Sequence, residues 1–264
     1  MKEETSHIIL RAEQLSIGYK TKKVETIVAL NINFELQKGQ LIGLVGANGI
    51  GKSTLLRTLI KVQPELSGKI ILNQKDLKST SAIELAKQLS IVLTEPLLSK
   101  NMSVFDLVAL GRHPYTNWIG NLLSEDISKI NAALELMNLE SLKAKRCYEL
   151  SDGQLQKVMI ARALAQDTDI IVLDEPTTHL DMYHKAYILK LLKKLTEETG
   201  KTILFSSHEI DLAIQLCDTM IVMQKEKLVC DQPCNLISKG VFQSLFPKDM
   251  IVFDDKTGSF RVIK

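Results

Sequence analysis

Eight residues, Gly46-Ala47-Asn48-Gly49-Ile50-Gly51-Lys52-Ser53, set three glycines directly before a lysine and a hydroxyl. Glycines this dense would weaken a helix or strand interior, so the backbone must adopt conformations, or admit an approach, that side chains would block. The run fits G-x-x-x-x-G-K-[ST], in which loop N–H groups and a following helix N-terminus turn toward phosphate oxygens. On that reading Lys52 reaches the β- and γ-phosphates of a nucleotide, and the Ser53 hydroxyl ligates Mg2+. A glycine turn without a ligand would leave the lysine and the hydroxyl unexplained.

A second group of polar residues ends an apolar run in IIVLDEPTTHLD, residues 170–181. Asp174 can hold the hydration shell of Mg2+ from the side opposite Ser53, and Glu175 can point at a γ-phosphate and polarise an attacking water. The alternative makes both acids ordinary caps of the next segment, since Pro176 favours a turn there in any case.

These groups need strands and helices to place them. QLIGLVG (40–46), IIVLDEP (170–176) and KTILFSSHE (201–209) read as buried strands with polar residues at their carboxyl ends, where open parallel sheets bind ligands. KSTLLRTLIKV has helical spacing. Residues 8–37 alternate as half-exposed antiparallel strands do, and KIILNQKDL (69–77) can join them. Between about 96 and 165 strand signals vanish; SVFDLVALGR, SEDISKINAALELMNL, with a serine cap at Ser124, and DGQLQKVMIARALAQ read as helices. MIVFDDKTGSFRVIK reads as a hairpin turning at DKTG. The expected class is α/β, a sheet-centred core with a helical insert.

Composition narrows the setting. Lys and Arg total 33 against 31 Asp and Glu, a net charge of +2 that argues against a nucleic-acid partner and a polybasic membrane tether. No apolar run approaches the roughly 18 residues of a membrane span, and MKEETSHIILR lacks a signal-peptide core, so a soluble, cytosolic chain is expected. Cys147, Cys217, Cys230 and Cys234 have no paired framework and fit reduced thiols better than a metal site.

LSDGQLQKVMIARAL, residues 150–164, resembles the signature of ABC ATPases, LSGGQ followed by an arginine-containing helix, with Asp152 replacing the first glycine. Its order relative to the glycine loop, VLDE and His208 matches the family from Tyr19 to about residue 230. The resemblance implies one P-loop NTPase domain over residues 1–264. It would comprise a RecA-like nucleotide core with an N-terminal antiparallel β subdomain (about 1–95 and 166–264) and an inserted helical subdomain (about 96–165).

The resemblance also implies site roles. Tyr19 would stack on the adenine of ATP, although it could be an ordinary strand tyrosine. Gly46, Asn48, Gly49, Gly51, Lys52, Ser53 and Thr54 would cradle phosphate and Mg2+. Ser151, Gly153 and Gln154 open a helix whose positive end suits the γ-phosphate of ATP on a second copy, in a head-to-tail dimer. Leu180 and Asp181 would cross that interface. His208 would contact the γ-phosphate and hold geometry for Glu175, the residue expected to drive hydrolysis.

One departure is Glu95, where the family usually has glutamine. A carboxylate there would ligate Mg2+ directly or carry a raised pKa. GRHPY (111–115) and PTTHLD resemble ATPases of iron–siderophore, haem or cobalamin importers. Arg112, Pro114, Tyr115 and Trp118 would then lie near the groove receiving a helix of a polytopic permease; otherwise they are a helix end packing on its own core. The implied protein is a peripheral subunit on the cytoplasmic face of the cell membrane, served indirectly by a substrate-binding protein. Alternatives are a soluble ABC ATPase of translation or DNA maintenance, a subunit that binds ATP without hydrolysing it, and an exporter subunit.

Overall fold

In the computed structural model, which describes residues 7–22, 24–94, 99–225, 227–247 and 249–263, the alternating N-terminal segments form β1 (Ile8–Lys20) and β2 (Glu25–Gln37), paired antiparallel. Ile32, Phe34 and Leu36 are buried while Asn33 and Glu35 between them are exposed, the period of a sheet with one covered face. β3 (Leu41–Gly46) is buried at every position, as a strand covered on both faces must be. α1 (Lys52–Leu59) follows the glycine loop and packs on β1 and β3, with Leu55, Leu56 and Leu59 buried. β4 (Ser67–Leu72) and β5 (Lys75–Asp76) complete an antiparallel sheet in the order β2-β1-β4-β5.

The chain divides into two compact units, residues 1–80 with 192–264, and residues 81–191. The second contains α2 (Ala82–Ala86), β6 (Leu89–Val92), α3 (Val104–Ala109), α4 (Ser124–Leu136), α5 (Asp152–Ala165) and β7 (Ile170–Leu173). α6 (Met182–Thr199) starts in this unit and runs on into the first. β6 and β7 are parallel, with Leu89 opposite Ile170. Among the described residues from 99 to 165 there is no strand, only an isolated bridge between Ser103 and Arg146. α3, α4 and α5 pack on one another, and Leu107, Ile130, Leu134 and Val158 are buried there.

Two sequence expectations shift in this unit. SVFDLVALGR is α-helical only to Ala109, and residues 110–115 tighten into a 3-10 turn containing Pro114, which cannot donate a helical hydrogen bond. The cap of α4 is Leu123, not Ser124, which is the first helical residue. Asp126 causes the shift: its carboxylate accepts from the Leu123 N–H at 2.9 Å while also pairing with Arg112, a partner that local periodicity does not display.

The rest of the first unit adds β8 (Thr202–Ser207), α7 (Ile210–Leu216), β9 (Thr219–Met223), β10 (Leu228–Asp231), α8 (Pro233–Ser238), β11 (Ile251–Asp254) and β12 (Ser259–Val262). Its core strands run β10-β9-β3-β8, with β3 parallel to both β9 and β8 and β10 antiparallel to β9. β8, like β3, is buried throughout. The expected C-terminal hairpin is present, with Asp254 opposite Ser259. Phe253 anchors it between Phe242 and Phe260, at centroid distances of 5.0 and 4.9 Å.

Candidate active site

In the first unit the parallel pairing of β3 and β8 puts Val45 opposite Ser207, so the glycine loop and His208 emerge at the same sheet end. Gly51 has φ +112, and a Cβ there would collide with the Val28 side chain, so both conformation and packing demand glycine. Gly49 is different. Its φ is +73, yet a Cβ would meet nothing within 4 Å, so the exposed turn at Asn48 and Gly49 is open to an incoming group. At Gly46 a Cβ would sit 2.5 Å from the Met223 carbonyl oxygen.

Lys52 is buried at 5% exposure, and its ammonium donates to the carbonyls of Gly46 at 3.0 Å and Ala47 at 3.3 Å. His208 Nδ1 lies 3.4 Å from the same nitrogen. Ser53 and the buried Thr54 open α1, whose first intrahelical bond runs from Leu55 N to Gly51 O. The first N–H groups of a helix lack intrahelical acceptors, which suits them to an anion. Tyr19 is exposed, and its hydroxyl shares a 2.9 Å hydrogen bond with Thr54 Oγ1, so its ring stands beside the phosphate loop. An open glycine turn, a buried lysine and a helix start together fit a nucleotide polyphosphate.

In the second unit Asp174 follows β7, buried at 7% exposure, and its N–H donates to Val92 O at 2.8 Å. Thr94 Oγ1 donates to the Asp174 carbonyl at 2.9 Å, tying the chain after β6 to this acid. Glu95, the departure noted above, lies outside the described residues. Glu175 takes φ +48, a left-handed conformation that costs a non-glycine residue about 1–2 kcal/mol. Its Oε2 accepts from Thr178 Oγ1 at 3.1 Å. Glu175 and Asp174 line a cavity of about 350 Å3 together with Lys100, Asp152 and His179. The carboxylate of Asp174 and the hydroxyl of Ser53 are hard oxygen donors of the kind Mg2+ takes.

The signature turn carries a device that the spacing of its serine and glutamine announces. Ser151 and Gln154 form a capping box: Gln154 N donates to Ser151 Oγ at 3.3 Å, and Ser151 N donates to Gln154 Oε1 at 3.1 Å. The box fixes the start of α5. A Cβ on Gly153 would lie 3.4 Å from His184 Cδ2, an ordinary contact, so packing within the chain does not require glycine there. Asp181, just before α6, accepts from the His184 N–H at 2.9 Å. Hydrogen bonds from His184, the backbone one foremost, hold its carboxyl below the usual carboxylate range.

GRHPY and the residues that follow it have different surroundings. Arg112 does not line a surface groove: it is 4% exposed, pairs with Asp126 at 2.8 Å and donates to the Ala165 carbonyl at 2.9 Å. Tyr115 covers its guanidinium at 4.0 Å from the ring centroid. Gly111 is equally structural, since a Cβ there would run into the Arg162 carbonyl oxygen. Trp118, by contrast, is 94% exposed, with Ile119 and Leu123 exposed nearby in sequence.

Residues 29–178 match the ABC transporter family. The chain is 34% identical to the achromobactin transport ATP-binding protein of Dickeya dadantii, over 93% of this chain and 90% of that protein. It is also 34% identical to the iron(3+)-hydroxamate import ATP-binding protein FhuC of Bacillus subtilis, over 94% and 91%. Among solved structures it resembles an inward-facing metal-chelate-type ABC transporter, with a TM-score of 0.79 and 28% identity over 91% of this chain and 89% of that one. It also resembles a dimeric ATP-binding cassette bound to ADP and Pi, with a TM-score of 0.72 and 26% identity over 85% and 99%. With the phosphate loop, the acidic strand end and the signature turn all present, the chain belongs to the ABC transporter family and is an ATP-binding, ATP-hydrolysing subunit.

Proposed function

We propose that this subunit energises import of an iron–siderophore or closely related metal chelate, acting as a homodimer on the cytoplasmic face of polytopic permease subunits to which a substrate-binding protein delivers cargo. The observation that carries this reading is the 34% identity to hydroxamate-import and achromobactin-transport subunits across more than nine-tenths of the chain. GRHPY resembles haem and corrinoid importers as well, but the relatives just named are for achromobactin transport and iron(3+)-hydroxamate import. No described helix is long and apolar enough to cross a membrane; in this proposal the permease subunits supply the translocation path.

Each residue has a distinct task in this proposal. The loop at Gly46, Asn48, Gly49 and Gly51 binds the phosphates through its backbone, Lys52 supplies fixed positive charge, and Tyr19 stacks on the adenine. Ser53 and Asp174 hold Mg2+, which when bound neutralises phosphate charge; Glu95 modifies that shell. Glu175 accepts a hydrogen bond from the attacking water and polarises it, and His208 keeps the γ-phosphate in register with it. Ser151, Gly153, Gln154 and Asp181 serve the nucleotide held by the other copy. Closure of two copies moves the helical segments, and Trp118 and Ile119, which are exposed, would meet a permease helix.

The test is purification of the tagged chain from detergent-solubilised membranes, identification of its partners, and assay of the complex with ferric hydroxamates, haem and corrinoids. Copurification of a polytopic protein, with ATPase stimulated by a ferric chelate, is expected. Stimulation by corrinoid alone would replace the cargo, and recovery with ribosomes or nucleic acid would overturn the transport reading.

A further inference from the structure

Asp181 is exposed, yet its carboxylate is held in a fixed orientation. His184 contributes twice: its N–H donates to Oδ1 at 2.9 Å, and its ring nitrogen Nδ1 lies 2.9 Å from both Oδ1 and Oδ2. Backbone hydrogen bonds from His184 and Tyr183 already restrain the carboxylate at the start of α6. A ring N–H on Nδ1 shared between the two oxygens adds a side-chain restraint that reaches both of them.

The same ring reaches the signature turn. Its Cδ2 stands where a Cβ on Gly153 would be in van der Waals contact at 3.4 Å. Ser151, Gly153, Gln154, Tyr183 and His184 line one cavity of about 290 Å3. Tyr183 meets the imidazole edge-on at 5.3 Å and stacks on Tyr187 at 6.5 Å, so the ring is braced from its own helix. Nothing about this ring serves a hydrophobic core, because half of the side chain is exposed. The ring contacts Asp181 and shares a cavity with the start of α5, the two short segments that the proposed function assigns to the nucleotide of the second copy.

We propose that His184 is a positioning residue that fixes the Asp181 carboxylate and ties it to the signature turn, so that both are presented to the partner copy as one preformed surface. The inference rests on the head-to-tail reading of the dimer given above. Preorganisation lowers the entropic cost of closure. Loss of the ring therefore acts on ATP-driven closure and on the apparent KM for ATP, and much less on turnover once closed.

The experiment uses the full chain. ATP-driven dimerisation is measured in the Glu175→Gln background by light scattering, and KM and kcat are measured with Glu175 present. His184→Ala and His184→Gln should raise the ATP concentration for half-maximal dimerisation, and KM, by about three- to tenfold, as loss of one charge-assisted hydrogen bond at a half-exposed site would. The kcat and melting temperature should stay near those of the parent. His184→Asn should restore closure, because its amide N–H falls near the position of Nδ1. Asp181→Ala combined with His184→Ala should be no worse than Asp181→Ala alone. Impaired closure in Asp181→Ala with normal closure in His184→Ala would overturn the role of His184 alone, as would failure of the asparagine variant or additive losses. Normal closure in Asp181→Ala would overturn the interface reading of Asp181 as well.

Discussion

Lys52 Nζ lies 3.4 Å from His208 Nδ1, joining the phosphate loop to the residue after β8 across most of the chain. The lysine also holds the carbonyls of Gly46 and Ala47, so its charge is directed at the loop it is expected to serve. A ring nitrogen facing an ammonium acts as acceptor, which puts the imidazole N–H on Nε2. Lys52→Ala should abolish ATPase activity and weaken nucleotide binding. His208→Ala should keep binding within a few-fold while turnover falls about 10²–10³-fold, the usual cost of one transition-state contact. Fluorescent-nucleotide titration beside phosphate release separates the two, and unchanged turnover in the histidine variant would remove its proposed role.

Glu175 adopts φ +48 and is held by Thr178. Replacing it with glutamine preserves shape and the hydroxyl contact but removes the base. Turnover should drop about 10²–10⁴-fold, and ATP should accumulate on a stable dimer visible by size-exclusion chromatography. Normal phosphate release from that variant would reassign the water-polarising residue.

Arg112 and Trp118 lie six residues apart in sequence but should behave oppositely. Removing the guanidinium strands the buried Asp126, so Arg112→Ala should destabilise the protein by about 3–5 kcal/mol in a denaturant titration. Trp118→Ala should leave that titration unchanged and reduce copurification of the membrane partner.

Asp126 gives the same pair a pH signature. The Leu123 N–H first, and the Arg112 guanidinium second, hold its carboxyl below the ordinary carboxylate value. With the folded pKa depressed, this contribution is fully present above the unfolded pKa of about 3.9. It is lost as pH falls from there through the lower folded value. Asp126→Asn should flatten the stability profile in that acid window, as measured by thermal melts, and leave the neutral-to-alkaline limb parallel to the parent.

A Cβ at Gly153 meets only ordinary contacts within the chain. Gly153→Ala should therefore retain its melting temperature while losing ATP-driven dimerisation. A variant that unfolds would show that the glycine serves local packing instead.

Glu95→Gln should leave nucleotide affinity nearly unchanged and alter the Mg2+ dependence of turnover. Superimposable Mg2+ titrations would exclude Glu95 from the metal shell.

Much of this protein was legible along the chain because its signals are local. Three glycines before Lys52, an apolar run ending at Asp174 and Glu175, and alternation over Ile32–Leu36 each reflect constraints set within a few residues, and the observed strands and α1 follow them. The capping box of Ser151 and Gln154 was equally readable, from a serine and a glutamine three apart. Tertiary structure decided what depends on distant partners. GRHPY could not declare that Arg112 faces inward, because its counter-ion Asp126 and its acceptor Ala165 arrive from other helices. Asp126 also accepts from the Leu123 N–H at the start of α4, where the cap is Leu123 and not Ser124. The left-handed backbone of Glu175 and the ring of His184 against the signature turn are likewise absent from any periodicity. Spacing fixes which side chains one element can present, whereas burial and pairing depend on which other element packs against it.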